Sequence, residues 1–134
     1  LCEASYLGAS VIGLDLNWKL IKGAKKNLKE ISQNYCVLQA DARYIPISSV
    51  DCIVTDPPYG RSSSTRGTQS IKLVEALLEK IDLIIQEKGE HVCICGDAEM
   101  SLPQLVHDGG LQVGHDFKIR VHSGLVREIV TIKL

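Results

Sequence analysis

Asp51-Cys52-Ile53-Val54-Thr55-Asp56-Pro57-Pro58-Tyr59-Gly60 is the stretch whose reading decides the fold. Asp51 to Thr55 gives a short strand that stops at Asp56, because two consecutive prolines have fixed φ, lack N–H groups and cannot carry a regular element onward. Upstream, Val11 to Leu14 is an apolar run bounded by Gly8 and ending in Asp15, the pattern of a buried parallel strand rather than an alternating surface strand. Asn17 caps a following helix in which Trp18, Ile21, Ala24, Leu28 and Ile31 recur at helical spacing, while Lys19, Lys22, Lys25, Lys26 and Lys29 occupy the remainder. Cys36 to Gln39 forms the next strand and ends at Ala40-Asp41-Ala42. Each of these three strands therefore ends in an acidic residue.

Downstream, Arg61 to Gly67 holds no apolar residue and reads as a mobile loop. Ile71, Val74, Leu78, Ile81 and Ile85 trace one face of a helix predicted over Gln69 to Glu87, with Gly89 stopping it. His91 to Cys95 is a fourth strand and Ser101 to His107 a short helix. Asp116 to His122 and Leu125 to Leu134 alternate well enough to form an antiparallel pair closing the sheet, Glu128 being the one break. The order describes an α/β sheet with helices on both faces, and such sheets bind ligands at the carboxyl ends of their strands.

That rule gives the acidic strand ends their weight. Asp56-Pro57-Pro58-Tyr59 sets a carboxylate beside stiff backbone carbonyls, a set of acceptors suited to an amino group with two N–H donors, and Tyr59 suits stacking on a flat base. An exocyclic amine of a nucleobase is a poor nucleophile because its lone pair is delocalised into the ring. With Asp56 and the Pro57 carbonyl taking its hydrogens, the lone pair becomes available for in-line attack on a methyl donor. The plainer alternative is a turn that merely ends a strand. Asp15 stands where nucleotide-binding α/β folds place an acid on ribose hydroxyls, and its alternative is a favourable charge at a helix start. Asp41 could accept from an adenine amino group, with the Ala42 N–H on a ring nitrogen; otherwise it is a turn residue. Arg61 and Arg66 either clasp an RNA phosphate or lie on the surface.

The bulk properties set bounds. The chain has 134 residues, 45% hydrophobic and 23% charged, enough for one domain with a packed core. No apolar run reaches membrane-spanning length and no secretory leader is recognisable. Five cysteines, an odd number, fit a reducing, cytoplasmic compartment; Cys93 and Cys95 share one strand face and are expected in the core rather than on a metal. The four histidines, His91, His107, His115 and His122, show no metal spacing. A net charge of -1 does not announce a nucleic-acid binder, so affinity for RNA would need further basic surface.

Three acidic strand ends followed by Asp-Pro-Pro-Tyr, in this order, resemble the class I, Rossmann-like S-adenosylmethionine-dependent methyltransferases. Gly13-Leu14-Asp15, Gln39-Ala40-Asp41-Ala42-Arg43 and Thr55-Asp56-Pro57-Pro58-Tyr59-Gly60-Arg61 are more closely similar to the archaeal and eukaryotic tRNA guanine-N2 methyltransferases that act on guanosine 10. The resemblance implies S-adenosylmethionine as cofactor, bound through Asp15, Leu16, Asp41, Ala42 and Asp56. It also implies catalysis at Asp56, Pro57, Pro58 and Tyr59, with tRNA as the substrate. Residues 1–134 would form a single catalytic domain, truncated at its amino terminus, because the family's first strand and glycine-rich loop normally precede a helix like Leu1 to Leu7. An RNA-binding THUMP domain is expected upstream, and the family pattern leaves room for an activating partner protein. Two other readings stay open: an amino methyltransferase acting on DNA adenine or protein glutamine, and a non-catalytic RNA-binding or partner subunit with the same fold.

Overall fold

The computed structural model describes residues 1–31, 34–58, 67–85 and 89–134, with backbone only for 67–69. Two compact units, Leu1–Pro46 and Ile47–Leu134, divide the chain.

The first unit holds α1 (Cys2–Tyr6), β1 (Val11–Asp15), α2 (Trp18–Lys29) and β2 (Tyr35–Gln39). The strands pair in parallel from Val11 opposite Tyr35 to Asp15 opposite Gln39, which requires the crossover that α2 provides. Asn17 starts that helix as expected, accepting the Lys19 N–H at 2.9 Å. Val11, Ile21, Leu28 and Val37 form the buried core, with Cys2, Ala24 and Tyr35 packed against it. Trp18 departs from the expected apolar stripe. It is 50% exposed because it lies to one side of the arc defined by Ile21 and Leu28, under the Lys25 ammonium at 5.8 Å.

The second unit contains β3 (Ile53–Thr55), α3 (Gly67–Leu78), α4 (Ile81–Ile84), β4 (Glu90–Asp97), α5 (Leu102–Asp108), β5 (Gln112–His122) and β6 (Leu125–Lys133). Its sheet has the order β3-β4-β6-β5. β3 and β4 run parallel, while β6 is antiparallel to both β4 and β5. Val92 and Ile94 of β4 face the buried side with Val130 and Ile132 of β6, together with Val74, Leu77, Ile81, Ile84, Leu102 and Val106 from the helices. Cys93 and Cys95 point to the other side and are only half buried. The core position expected for them belongs instead to Val92 and Ile94.

Two further departures have physical reasons. The helix anticipated over Gln69 to Glu87 breaks at Glu79-Lys80. The break buries Ile81, Ile84 and Ile85 together and frees the Ile84 carbonyl to accept the Val50 N–H at 3.1 Å. Gly89, at φ +142°, opens β4 by pairing with Leu134 rather than ending a helix. Glu128 keeps the alternation in direction and breaks it only in polarity. It is 1% exposed on the same side as Val130 and Ile132, accepts the Leu102 N–H at 2.7 Å and pairs with Lys118 at 3.0 Å. Ser101 precedes α5 at φ 52° and makes no side-chain cap, so Glu128 supplies from a neighbouring strand the acceptor that a helix start needs. No described helix is long and apolar enough to cross a membrane.

Candidate active site

In the first unit, Asp15 is the last residue of β1 and Asp41 lies two residues beyond β2, at the carboxyl ends of two adjacent parallel strands. The Ala40 N–H bonds the Asp15 carbonyl at 3.1 Å, and Gln39 Nε2 bonds the Leu16 carbonyl at 3.0 Å, so the two strand ends are tied together. Asp15 Oδ1 accepts the Asn17 N–H at 2.6 Å, and no described residue donates to its other carboxylate oxygen. Leu16 is 67% exposed. Asp41 folds its own turn: its carbonyl accepts the Tyr44 N–H at 2.9 Å and its Oδ1 the Arg43 N–H at 2.9 Å. The Arg43 guanidinium grips the same carboxylate, Nη2 to Oδ2 at 2.6 Å and Nε to both oxygens at 3.0 and 3.1 Å. Hydrogen bonding to Asp41 first, then its charge, raises the Arg43 pKa. Asp41 is thus already engaged by Arg43. The Ala42 N–H meets no acceptor among the described residues, so it can donate to a ring nitrogen.

In the second unit, Asp56 follows β3 and stands beside the carboxyl end of β4 and the start of β6. Arg127 Nη2 lies 3.7 Å from Asp56 Oδ2. Burial, and after it the charge of Asp56, push the Cys95 thiol pKa up, while Arg127 pulls it down, so the three groups share one neighbourhood. The Ser70 hydroxyl, fully buried on α3, donates to the Pro58 carbonyl. No described residue bonds the Pro57 carbonyl. Tyr59, Arg61 and Arg66, with the loop proposed around them, lie outside the described residues, apart from Gly67, which opens α3.

Sequence reasoning missed Ser70, Cys95 and Arg127. Ser70 sits one residue ahead of the apolar stripe beginning at Ile71, and Arg127 lies on a strand read only for its alternation; neither spacing carries a signal of contact with Asp-Pro-Pro. Among the described residues no three His, Cys, Asp or Glu side chains gather as a metal site would require.

Parallel strands ending in acids, with an antiparallel strand inserted next to the last parallel one, define a Rossmann-like methyltransferase fold. The chain belongs to the family described as RMKL-like, methyltransferase domain, whose model matches residues 3–128. It is 33% identical over 135 residues to a tRNA (guanine(10)-N2)-dimethyltransferase of Methanothermobacter thermautotrophicus, covering 99% of this chain and 40% of that protein. It is 31% identical over 143 residues to the protein of the same name from Methanocaldococcus jannaschii, covering 99% of this chain and 37% of that one. The chain thus spans about two-fifths of the length of these relatives. Among solved structures, a SAM-dependent methyltransferase of Methanosarcina mazei matches at a TM-score of 0.72 and 14% identity, over 98% of this chain and 85% of that one. A magnesium protoporphyrin IX methyltransferase of Synechocystis, with bound SAM, matches at 0.72 and 11% identity, over 99% and 64%. At those identities the likeness concerns the fold.

Proposed function

We propose that this protein methylates the exocyclic N2 amino group of a guanosine in tRNA, position 10, using S-adenosylmethionine. The observation that carries the reading is the pair of acceptors at the end of β3. Asp56 and Pro57 are consecutive in the chain and no described donor bonds the Pro57 carbonyl, while the neighbouring Pro58 carbonyl is engaged by Ser70. The names of the relatives at 33% and 31% identity support the same acceptor.

The residues of the first unit fit the cofactor's adenosine by chemistry: one open carboxylate oxygen on Asp15 for a ribose hydroxyl, and the Ala42 N–H for a ring nitrogen. Asp41 serves the adenine amino group by sharing its carboxylate with Arg43. When bound, S-adenosylmethionine supplies an electrophilic methyl on a sulfonium.

Asp56 and the Pro57 carbonyl each accept one hydrogen of the guanine N2 amine, which restores nucleophilic character to a lone pair otherwise drawn into the ring. Tyr59 keeps the base in plane. With S-adenosylmethionine held there, its methyl would be passed to this nitrogen, with the thioether as leaving group, and Asp56 or water would take the proton that the nitrogen sheds. Arg127, 3.7 Å from the carboxylate, orients Asp56. In this reading residues 1–134 act as the catalytic domain in the cytoplasm, an RNA-binding domain ahead of them supplies most of the grip on tRNA, and a partner subunit can raise activity further.

Transfer of labelled methyl from S-adenosylmethionine to unmodified tRNA, with nucleoside analysis, tests it on the protein in its full natural length. N2-methylguanosine and N2,N2-dimethylguanosine at position 10 are expected. Label in DNA adenine or a protein amide instead would replace the acceptor, and no label under any condition would remove the enzymatic reading.

A further inference from the structure

Helix α2 carries five of the chain's fifteen lysines and arginines and no acidic residue within Trp18–Lys29. Their placement is one-sided. At about 100° per residue, counted from buried Ile21, Lys25, Trp18, Lys29, Lys22, Lys26 and Lys19 fall at roughly 40°, 60°, 80°, 100°, 140° and 160°. The opposite exposed flank holds Gly23, Asn27 and Leu20 and no lysine. None of the five lysines is in an ion pair among the described residues.

A stripe of this kind works against its own helix. Lys22 and Lys26, and Lys25 and Lys29, are four residues apart, and Lys19 and Lys22, and Lys26 and Lys29, three apart, so like charges stack along one side. Lys26 and Lys29 lie in the last turn, where the helix dipole favours cations, but Lys19 lies in the first, where it does not. The apolar face of α2 is already spent: Ile21 and Leu28 are buried against Val11 and Val37, so no apolar side remains for insertion into a bilayer. What the flank presents is a row of charges about 15 Å long from Lys19 to Lys29, with a half-exposed indole in it, held beneath Lys25. Ammonium groups in a row match successive phosphates, and the ring offers an unpaired base a stacking surface.

We infer that the lysine flank of α2 is a docking surface for the sugar-phosphate backbone of an RNA. The identity of that RNA as the methyl acceptor rests on the proposed reaction; the surface itself rests on α2. It also answers the charge of the whole chain, whose net value of -1 conceals this local excess.

The test compares two doubly substituted proteins of natural length that lose the same charge in different places. Lys22→Gln with Lys26→Gln removes two charges from the stripe; Lys72→Gln with Lys133→Gln removes two exposed charges elsewhere. Glutamine keeps helix propensity, and circular dichroism should match the parent for both. Binding of an unmodified tRNA transcript is followed across a salt series. The stripe pair should lower the slope of log affinity against log salt by about 2, one per phosphate contact, and weaken binding at least about tenfold, while the second pair leaves both unchanged. Lys22→Arg with Lys26→Arg should retain the parent slope. Equal effects from both Gln pairs, or none from the stripe pair, would overturn the inference. So would loss of binding to vesicles of equal phosphatidylserine and phosphatidylcholine with tRNA affinity intact. Methylation is scored separately: binding that depends on α2 without any methyl transfer keeps the surface and removes the reaction.

Discussion

Arg127 Nη2 stands 3.7 Å from Asp56 Oδ2, linking the start of β6 to the end of β3 past the intervening β4. Both side chains are close to half exposed, 43% and 49%, so the pair adds no more than about 1 kcal/mol to folding. Its consequence lies in orienting the carboxylate. Arg127→Gln should leave stability within about 1 kcal/mol while cutting kcat/KM for methyl transfer about tenfold, equivalent to about 1.4 kcal/mol in the barrier. Denaturation and steady-state kinetics on one preparation separate the two. A parallel fall in both would make Arg127 a folding residue.

Ser70 is the hidden support of the same segment. Ser70→Ala removes the donor to the Pro58 carbonyl and should destabilise the fold by about 1 kcal/mol, with kcat reduced and cofactor affinity unchanged in equilibrium binding. Unaltered kcat would show that Pro58 holds its place without the hydroxyl.

Glu128 should be a site of large stability effects. Glu128→Ala leaves the Leu102 N–H without its acceptor and Lys118 without its partner, a loss of about 2–3 kcal/mol. Glu128→Gln retains an acceptor and should lose roughly half as much. Urea unfolding of the two variants checks the order; equal losses would mean that the charge, and not the hydrogen bond, matters.

At the other end of β4, Thr131 and His115 bond Glu90, Oγ1 and Nδ1 each at 2.7 Å from Oε2. The Thr131 hydroxyl foremost, then His115, lower the Glu90 pKa below its ordinary 4.5. A carboxylate with a depressed folded-state pKa contributes stability that is fully present above the unfolded value and is lost as pH falls through the folded one. The stability difference between the parent and Glu90→Gln should therefore shrink as pH falls below about 4.5. A difference that widens in acid would contradict the assignment.

The parts of the fold legible in the sequence are those in which local pattern and tertiary demand coincide. The apolar run Val11 to Leu14, the cap at Asn17 and the proline pair after Thr55 each dictate local backbone and also place a residue at a strand end. What escaped notice depends on partners far along the chain. Ser70 matters because of Pro58, Arg127 because of Asp56, and Glu128 because of Leu102, separations that no helical or strand period encodes. Trp18 was legible as helical but not in its direction, because the core of this unit is narrow and centred on Ile21 and Leu28. Arg43, quoted only as part of a motif, turned out to occupy Asp41.

Asp56 is the centre of the account, and substituting it is the most direct trial. With the protein in its full natural length, Asp56→Ala should reduce methyl transfer to tRNA by at least about a hundredfold, the scale of losing a preorganised group at the reacting centre, while calorimetric binding of S-adenosylmethionine, still held through Asp15, Leu16, Asp41 and Ala42, weakens by less than about tenfold, about 1.4 kcal/mol. Transfer that survives the substitution, or transfer and cofactor binding lost together, would contradict the role assigned to the carboxylate at the end of β3.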